Sequence, residues 1–255
     1  VNHNLYGAGH PRLSFELDTF GVLQPKHWVV DEDYEKRKGP YHPLTAWMTG
    51  QLHHAESTIE ALKSPTRSKN GMFPELSLFD CFSCHHSLTE DQWKKRSYNG
   101  APGQLKLNLP SLIVLREATS GLNKDVSDEL SAHIATLHTT YKNDGAPEAI
   151  DALNSILTTK VQPLVDKLAS DPVTATHVLK ALANFAANHP WPTYELAEQL
   201  GMGMQAAIAS SPELAKLYGV EIKELFGTLK SSKAFTAEKF TTAAKKLQRS
   251  VTHQR

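Results

Sequence analysis

The sequence predicts a mainly α fold, with an irregular N-terminal region followed by an α-helical bundle. Three observations predict it. Beyond residue 110 the apolar residues recur at steps of three and four, the period of one helix face. Cap-and-proline pairs punctuate that same half: Asp171-Pro172 and Ser211-Pro212 each place a helix-capping side chain just before a proline suited to the first turn. Before residue 105 the chain is instead broken by Gly7, Gly9, Pro25, Gly39, Pro40, Pro43, Pro74, Asn99-Gly100 and Pro102-Gly103. The expected division is residues 1–105 and 106–255.

In chain order, Gly7 and Gly9 between His3 and His10 argue against one regular helix through that stretch. Glycine there lets backbone approach a flat ligand closely. Pro11 suits the first turn of a helix carrying Leu13, Phe15, Leu17 and Phe20. His10 would sit at its N-terminal edge, where the helix dipole keeps an imidazole neutral. Residues 24–43 read as loop, with Asp31 to Lys38 a solvated charge run, and His27 reads as a surface side chain. Leu44, Trp47, Met48, Leu52, Ala55, Ile59 and Leu62 predict a helix over 44–63 that also carries His53 and His54. Residues 64–75 read as loop, and Pro74 to Phe79 lead into the chain's one cysteine motif. Thr89 to Trp93 resemble a short helix start, and 97–110 a turn-rich connection.

In the second half, Ile150, Leu153, Leu157, Val161, Leu164 and Leu168 line one helix face, which Pro163 should kink. Asp171-Pro172 opens a helix to about residue 187. Asn188-His189-Pro190-Trp191-Pro192 breaks the chain. Thr193 caps a helix with Leu196, Leu200 and Met204, and Thr236 opens a last one with Phe240, Ala244, Leu247 and Val251. This half gathers no cluster of catalytic residue types.

Composition excludes some functions. The chain of 255 residues has 27 basic and 27 acidic side chains and a formal net charge of zero. Such a balance predicts neither a nucleic-acid surface nor a polybasic membrane anchor. No apolar run reaches the roughly 18 residues of a membrane-spanning helix. Hydrophobic residues make up 40% of the chain, modest for a globular core, so a bound apolar group could supply part of it. There are 13 histidines, and His3, His10, His27, His42, His53, His54, His85 and His86 all fall in the first third.

Cys81-Phe82-Ser83-Cys84-His85 holds both cysteines of the chain. C-x-x-C-H is the attachment pattern of a c-type haem. Each thiol adds across one porphyrin vinyl group, the two-residue gap matches the spacing of those vinyls, and His85 becomes the proximal iron ligand. The alternatives are weaker. A zinc site wants four ligands and no second cysteine pair exists, and a thioredoxin-like pair would need a strand–helix context that is absent here. Attachment outside the cytoplasm predicts a periplasmic or extracellular, secreted protein. Because Val1 opens on polar residues, its signal would have been removed or would lie upstream.

The second axial ligand sets the chemistry: methionine, histidine or an open position give different potentials and reactivities. Met202 and Met204 read as core residues, and Met48 and Met72 are weak candidates. Histidine is favoured, with His10 and His3 the leading pair.

Two segments also carry a resemblance. Asn2-His3-Asn4-Leu5 with Ala8-Gly9-His10-Pro11-Arg12-Leu13-Ser14-Phe15-Glu16 is similar to a segment of multihaem c-type cytochromes. So is Phe79-Asp80-Cys81-Phe82-Ser83-Cys84-His85-His86-Ser87-Leu88. Both resemble the group that includes the tetrahaem cytochrome accepting electrons from hydroxylamine oxidoreductase. The matching pieces lie within residues 2–103, with a looser one around Trp191 to Gln199. The resemblance implies that His3 and His10 are distal ligands. One, with His10 favoured, would serve the haem on Cys81 and Cys84, and the other a haem attached elsewhere. The family's three upstream haem sites are missing from this sequence. Two explanations compete: the C-terminal part of a longer multihaem protein, or a one-haem subunit lending a histidine to a partner.

The function expected is electron transfer through a covalent, bis-histidine haem c with neighbouring haems, rather than catalysis. The partners would be redox proteins or other haem-bearing chains, in an oligomer or a longer multihaem protein, with no nucleic acid and no membrane span. The alternatives are an open-site haem enzyme acting on a small nitrogen or sulfur compound, with His54 as proton donor, and a structural subunit of a larger cytochrome complex.

Overall fold

The computed structural model describes residues 2–10, 16–25, 28–68, 74–81, 84–85, 105–168, 171–189 and 192–253. Among them the protein is mainly α and contains no strand; one isolated antiparallel bridge pairs Phe79 with Leu107.

Among the described residues five α-helices precede the cysteine motif: α1 (His3–Gly7), α2 (Leu17–Leu23), α3 (Glu32–Lys38), α4 (Pro43–Lys63) and α5 (Pro65–Ser68). Asn2 caps α1, its side chain accepting the Leu5 N–H at 3.0 Å. The helix then stops where the glycines predict: Gly9 takes a φ of 90°, a left-handed turn that L side chains resist. The His10 N–H closes that turn on the Leu5 carbonyl at 2.9 Å. The start of α2 differs from expectation. The Glu16 carboxylate caps it by accepting the Asp18 and Thr19 N–H groups, so the helix begins at Leu17. Pro11, Leu13 and Phe15, assigned to that helix from sequence, lie outside the described residues.

The stretch read as loop also contains α3. Asp31 caps it, Glu32, Asp33 and Glu35 occupy its first turn, and Lys36, Arg37 and Lys38 its last. That order of charges complements the helix dipole at both ends, and Asp33 pairs with Arg37 one turn on. Its side chains are largely exposed, consistent with a solvated charge run.

α4 begins one residue before the expected helix and buries every apolar residue named for it. His53 and His54 point to the exposed side, where His53 pairs with Glu56. His27, Met72 and Thr89 to Trp93 lie outside the described residues.

The second half holds α6 (Pro110–Ser120), α7 (Lys124–Asp144), α8 (Pro147–Ile156), α9 (Gln162–Asp166), α10 (Pro172–Asn188), α11 (Tyr194–Ala209), α12 (Pro212–Gly227) and α13 (Ala237–His253). The caps sit where the sequence places them. Asp171 Oδ1 accepts the Val173 and Thr174 N–H groups, Thr193 Oγ1 accepts that of Leu196, and Ser211 Oγ that of Leu214. Before Pro163 the helix widens rather than simply kinking. Leu157–Val161 form a π turn, with the Gln162 N–H on the Leu157 carbonyl. Proline lacks the N–H and crowds the carbonyl four residues back, so a wider turn relieves both problems. Met202 and Met204 are buried in α11.

One hydrophobic core joins these helices, with α10, α11 and α6 at its centre and α13 packed across α10 and α12. Phe240 and Leu247 of α13 are fully buried there and contribute roughly 2 kcal/mol each. The same core contains α4, so it runs across the division expected at residue 105. Gln51 of α4 donates its amide to Gln199 of α11 at 2.7 Å inside this core, which fixes the register of the two helices.

Candidate functional site

The cysteine motif stands at the edge of the bundle, held by a short antiparallel pairing. Leu76–Leu78 form a single 3₁₀ turn capped by Glu75. Past that turn the chain runs beside residues 106–108. The Asp80 N–H donates to the Lys106 carbonyl at 2.7 Å, and the Asn108 N–H to that of Leu78 at 2.9 Å. Two residues of α7 back this pairing. Phe79 meets the Tyr141 ring edge-on at 6.3 Å between centroids, and His138 hydrogen-bonds the Ile134 and Leu107 backbone. Leu78 and Leu107 are buried, so the attachment segment starts from a packed anchor.

From this anchor the motif turns outward. The Cys81 carbonyl accepts the Cys84 N–H at 3.2 Å and the His85 N–H at 2.8 Å, which ties the two ends of the motif together. Both thiols are exposed, as is His85. Phe82, Ser83 and His86 lie outside the described residues.

Facing this turn is α1. The imidazole of His3 lies 6.2 Å from that of His85, centre to centre, with the rings 23° from parallel. A metal–imidazole bond is about 2.0 Å long, so a metal held between two imidazoles sets their centres about 6.3 Å apart once the ring radii are included. The centre-to-centre distance of this pair, though not its stacked arrangement, equals that of two axial ligands of one iron. Among the described residues no three His, Cys, Asp or Glu side chains gather as a metal site. A two-histidine pair suits a metal whose remaining positions are filled by a macrocycle. Cys81 and Cys84 could attach a c-type haem through thioethers, with His85 and His3 as its candidate axial ligands.

The structure brings His3 to His85. His10 is exposed beyond the Gly9 turn. His54, the proton donor of the enzyme alternative, is exposed on α4.

Glu75 was not singled out in the sequence. Its Oε1 accepts the backbone N–H of His3 at 2.7 Å and that of Ser77 at 3.2 Å. Burial pushes its carboxyl up, but the hydrogen bonds from His3 and Ser77 outweigh this and hold it below the usual glutamate range. No local signal marks such a residue, because its partner is 72 positions away. On α7, burial lowers the His138 pKa and raises that of Tyr141. No protein family, curated protein or solved structure matches this chain.

Proposed function

We propose that the protein is a c-type cytochrome that passes electrons through one covalently held haem, with His85 as proximal and His3 as distal ligand. The observation that carries this reading is the His3–His85 spacing beside the two exposed thiols of a C-x-x-C-H motif. When bound, the haem supplies a one-electron couple whose potential depends on its axial ligands and surroundings. The chain's own part is to hold those ligands. Cys81 and Cys84 present their thiols from one backbone turn, the 78–80 and 106–108 pairing anchors that turn, and α1 offers the second imidazole. Two imidazoles favour electron transfer over an open-site reaction, since neither iron face is left to a substrate. The resemblance to multihaem cytochromes extends the proposal: His10 would ligate a haem on another chain or on a preceding segment. The partners would then be haem-bearing redox proteins, in the periplasm or outside the cell. Among the described residues no helix is long and apolar enough to cross a membrane.

The test is the spin state of the ferric protein. A low-spin, six-coordinate spectrum is expected, becoming high-spin in His3→Ala and unchanged in His54→Ala. A high-spin spectrum for the unaltered protein would reject the bis-histidine reading.

A further inference from the structure

α1 reaches the haem site without help from the core. It is five residues long and buries none of them, and its Leu5 is 45% exposed. A helix this short is not stable by itself. Something other than apolar burial must hold its histidine in place, and the Glu75 carboxylate is placed to do so. It accepts the His3 N–H at the first residue of α1, where a helix leaves its N–H groups unpaired and favours negative charge. Glu75 is itself held. It caps the 3₁₀ turn through the Ser77 N–H, and its own N–H donates to the Arg67 carbonyl at 2.7 Å. Ten residues on is His85. A single carboxylate thus joins the segment that carries the proximal ligand to the helix that carries the distal one.

We propose that Glu75 is the positioning residue for the distal ligand, holding the His3 backbone so that its imidazole stands opposite His85. This rests on the axial pairing proposed above. It makes the grip on the sixth coordination position a property of the residue-75 side chain, which touches neither iron nor porphyrin in this assignment. The reach of that side chain is what counts. Gln keeps the accepting oxygen at the same distance, whereas Asp keeps the charge but falls one methylene short.

The experiment uses the full-length holoprotein and measures the rate at which carbon monoxide binds the ferrous haem. Carbon monoxide can bind only after the distal histidine leaves, so the rate reports how tightly His3 is held. Losing a hydrogen bond of ordinary strength should speed binding about fivefold or more. Glu75→Ala and Glu75→Asp should both show that gain with partial high-spin character, while Glu75→Gln stays within about twofold of the unaltered protein. The helical circular dichroism of the bundle should be unchanged in all three. Rates within about twofold for Glu75→Ala and Glu75→Asp would overturn the assignment, as would a Gln variant as fast as Ala. His3→Ala separates the two ideas. If it binds carbon monoxide fast and is high-spin, the axial pairing stands and the Glu75 variants decide the rest. If it stays low-spin, the axial pairing itself fails and the positioning role falls with it.

Discussion

The same substitution, glycine to alanine, should have opposite effects in two helices of the bundle. Gly203 of α11 lies against the Trp47 ring of α4. A Cβ at residue 203 would stand 2.4 Å from Trp47 Cζ2, 2.6 Å from Cη2 and 2.9 Å from Cε2. Ordinary carbon contacts begin near 3.4 Å, so ring and helix would have to part by roughly 1 Å. The ring has little room to yield, being 1% exposed. Overpacking of this kind costs about 1–3 kcal/mol. Alanine returns up to about 1 kcal/mol of helix propensity, so Gly203→Ala should destabilise by about 1–2 kcal/mol. For a chain of this size that lowers Tm by about 2–8 °C. Gly219 of α12 has nothing within 4 Å of the equivalent point, so Gly219→Ala should gain up to about 1 kcal/mol from propensity alone. Urea unfolding followed by helical circular dichroism measures both. A Gly203→Ala protein as stable as the unaltered one would refute the close approach of α4 to α11. Destabilisation by Gly219→Ala would refute the propensity argument.

Two further predictions concern the support behind the cysteine motif. The Tyr141 hydroxyl is buried without a hydrogen-bond partner, and a desolvated hydroxyl is costly. Tyr141→Phe keeps the ring against Phe79 and should stabilise the protein by about 1 kcal/mol in urea unfolding, whereas a loss would point to a partner for that oxygen. His138 is held neutral chiefly by burial, with the Lys106 charge acting in the same direction against its backbone hydrogen bonds. Its folded pKa is depressed, so the unfolded chain binds its proton first. The stability it contributes is therefore full above about pH 6.5 and lost as pH falls from there through the folded value. Urea midpoints between pH 8 and pH 5 should fall more steeply for the unaltered protein than for His138→Gln, and parallel curves would disprove the buried neutral state.

Much of the fold was legible because its determinants are local. Asp171, Thr193 and Ser211 each cap the helix that follows within three residues. The apolar rows of α4 and α13 mark the faces they bury. The charge run at residues 31–38 held a helix signal that was readable but passed over: acids first and bases last, in the order the dipole favours. At α2 the capping residue is a glutamate, outside the usual set of short capping side chains, so the boundary was misjudged. The shared core was less legible. Nothing local says that α4 packs with α6 and α11 across the turn-rich connection, because burial depends on which faces meet.

The sequence by itself determined the helical class and the starts of the helices capped by Asp171, Thr193 and Ser211, and it supplied the C-x-x-C-H pattern of Cys81, Cys84 and His85. Each of these follows from neighbours a few residues apart, through capping, periodicity or the spacing of two thiols. It also offered two histidines seven positions apart, His3 and His10, as candidate distal ligands, with His10 favoured. The tertiary structure adds a contact for one of them. The imidazole of His3 stands beside that of His85, and a hydrogen bond from the His3 N–H to Glu75, 72 positions along the chain, holds its backbone at the attachment segment. That contact joins distant parts of the chain, and such contacts exist only once the chain has folded.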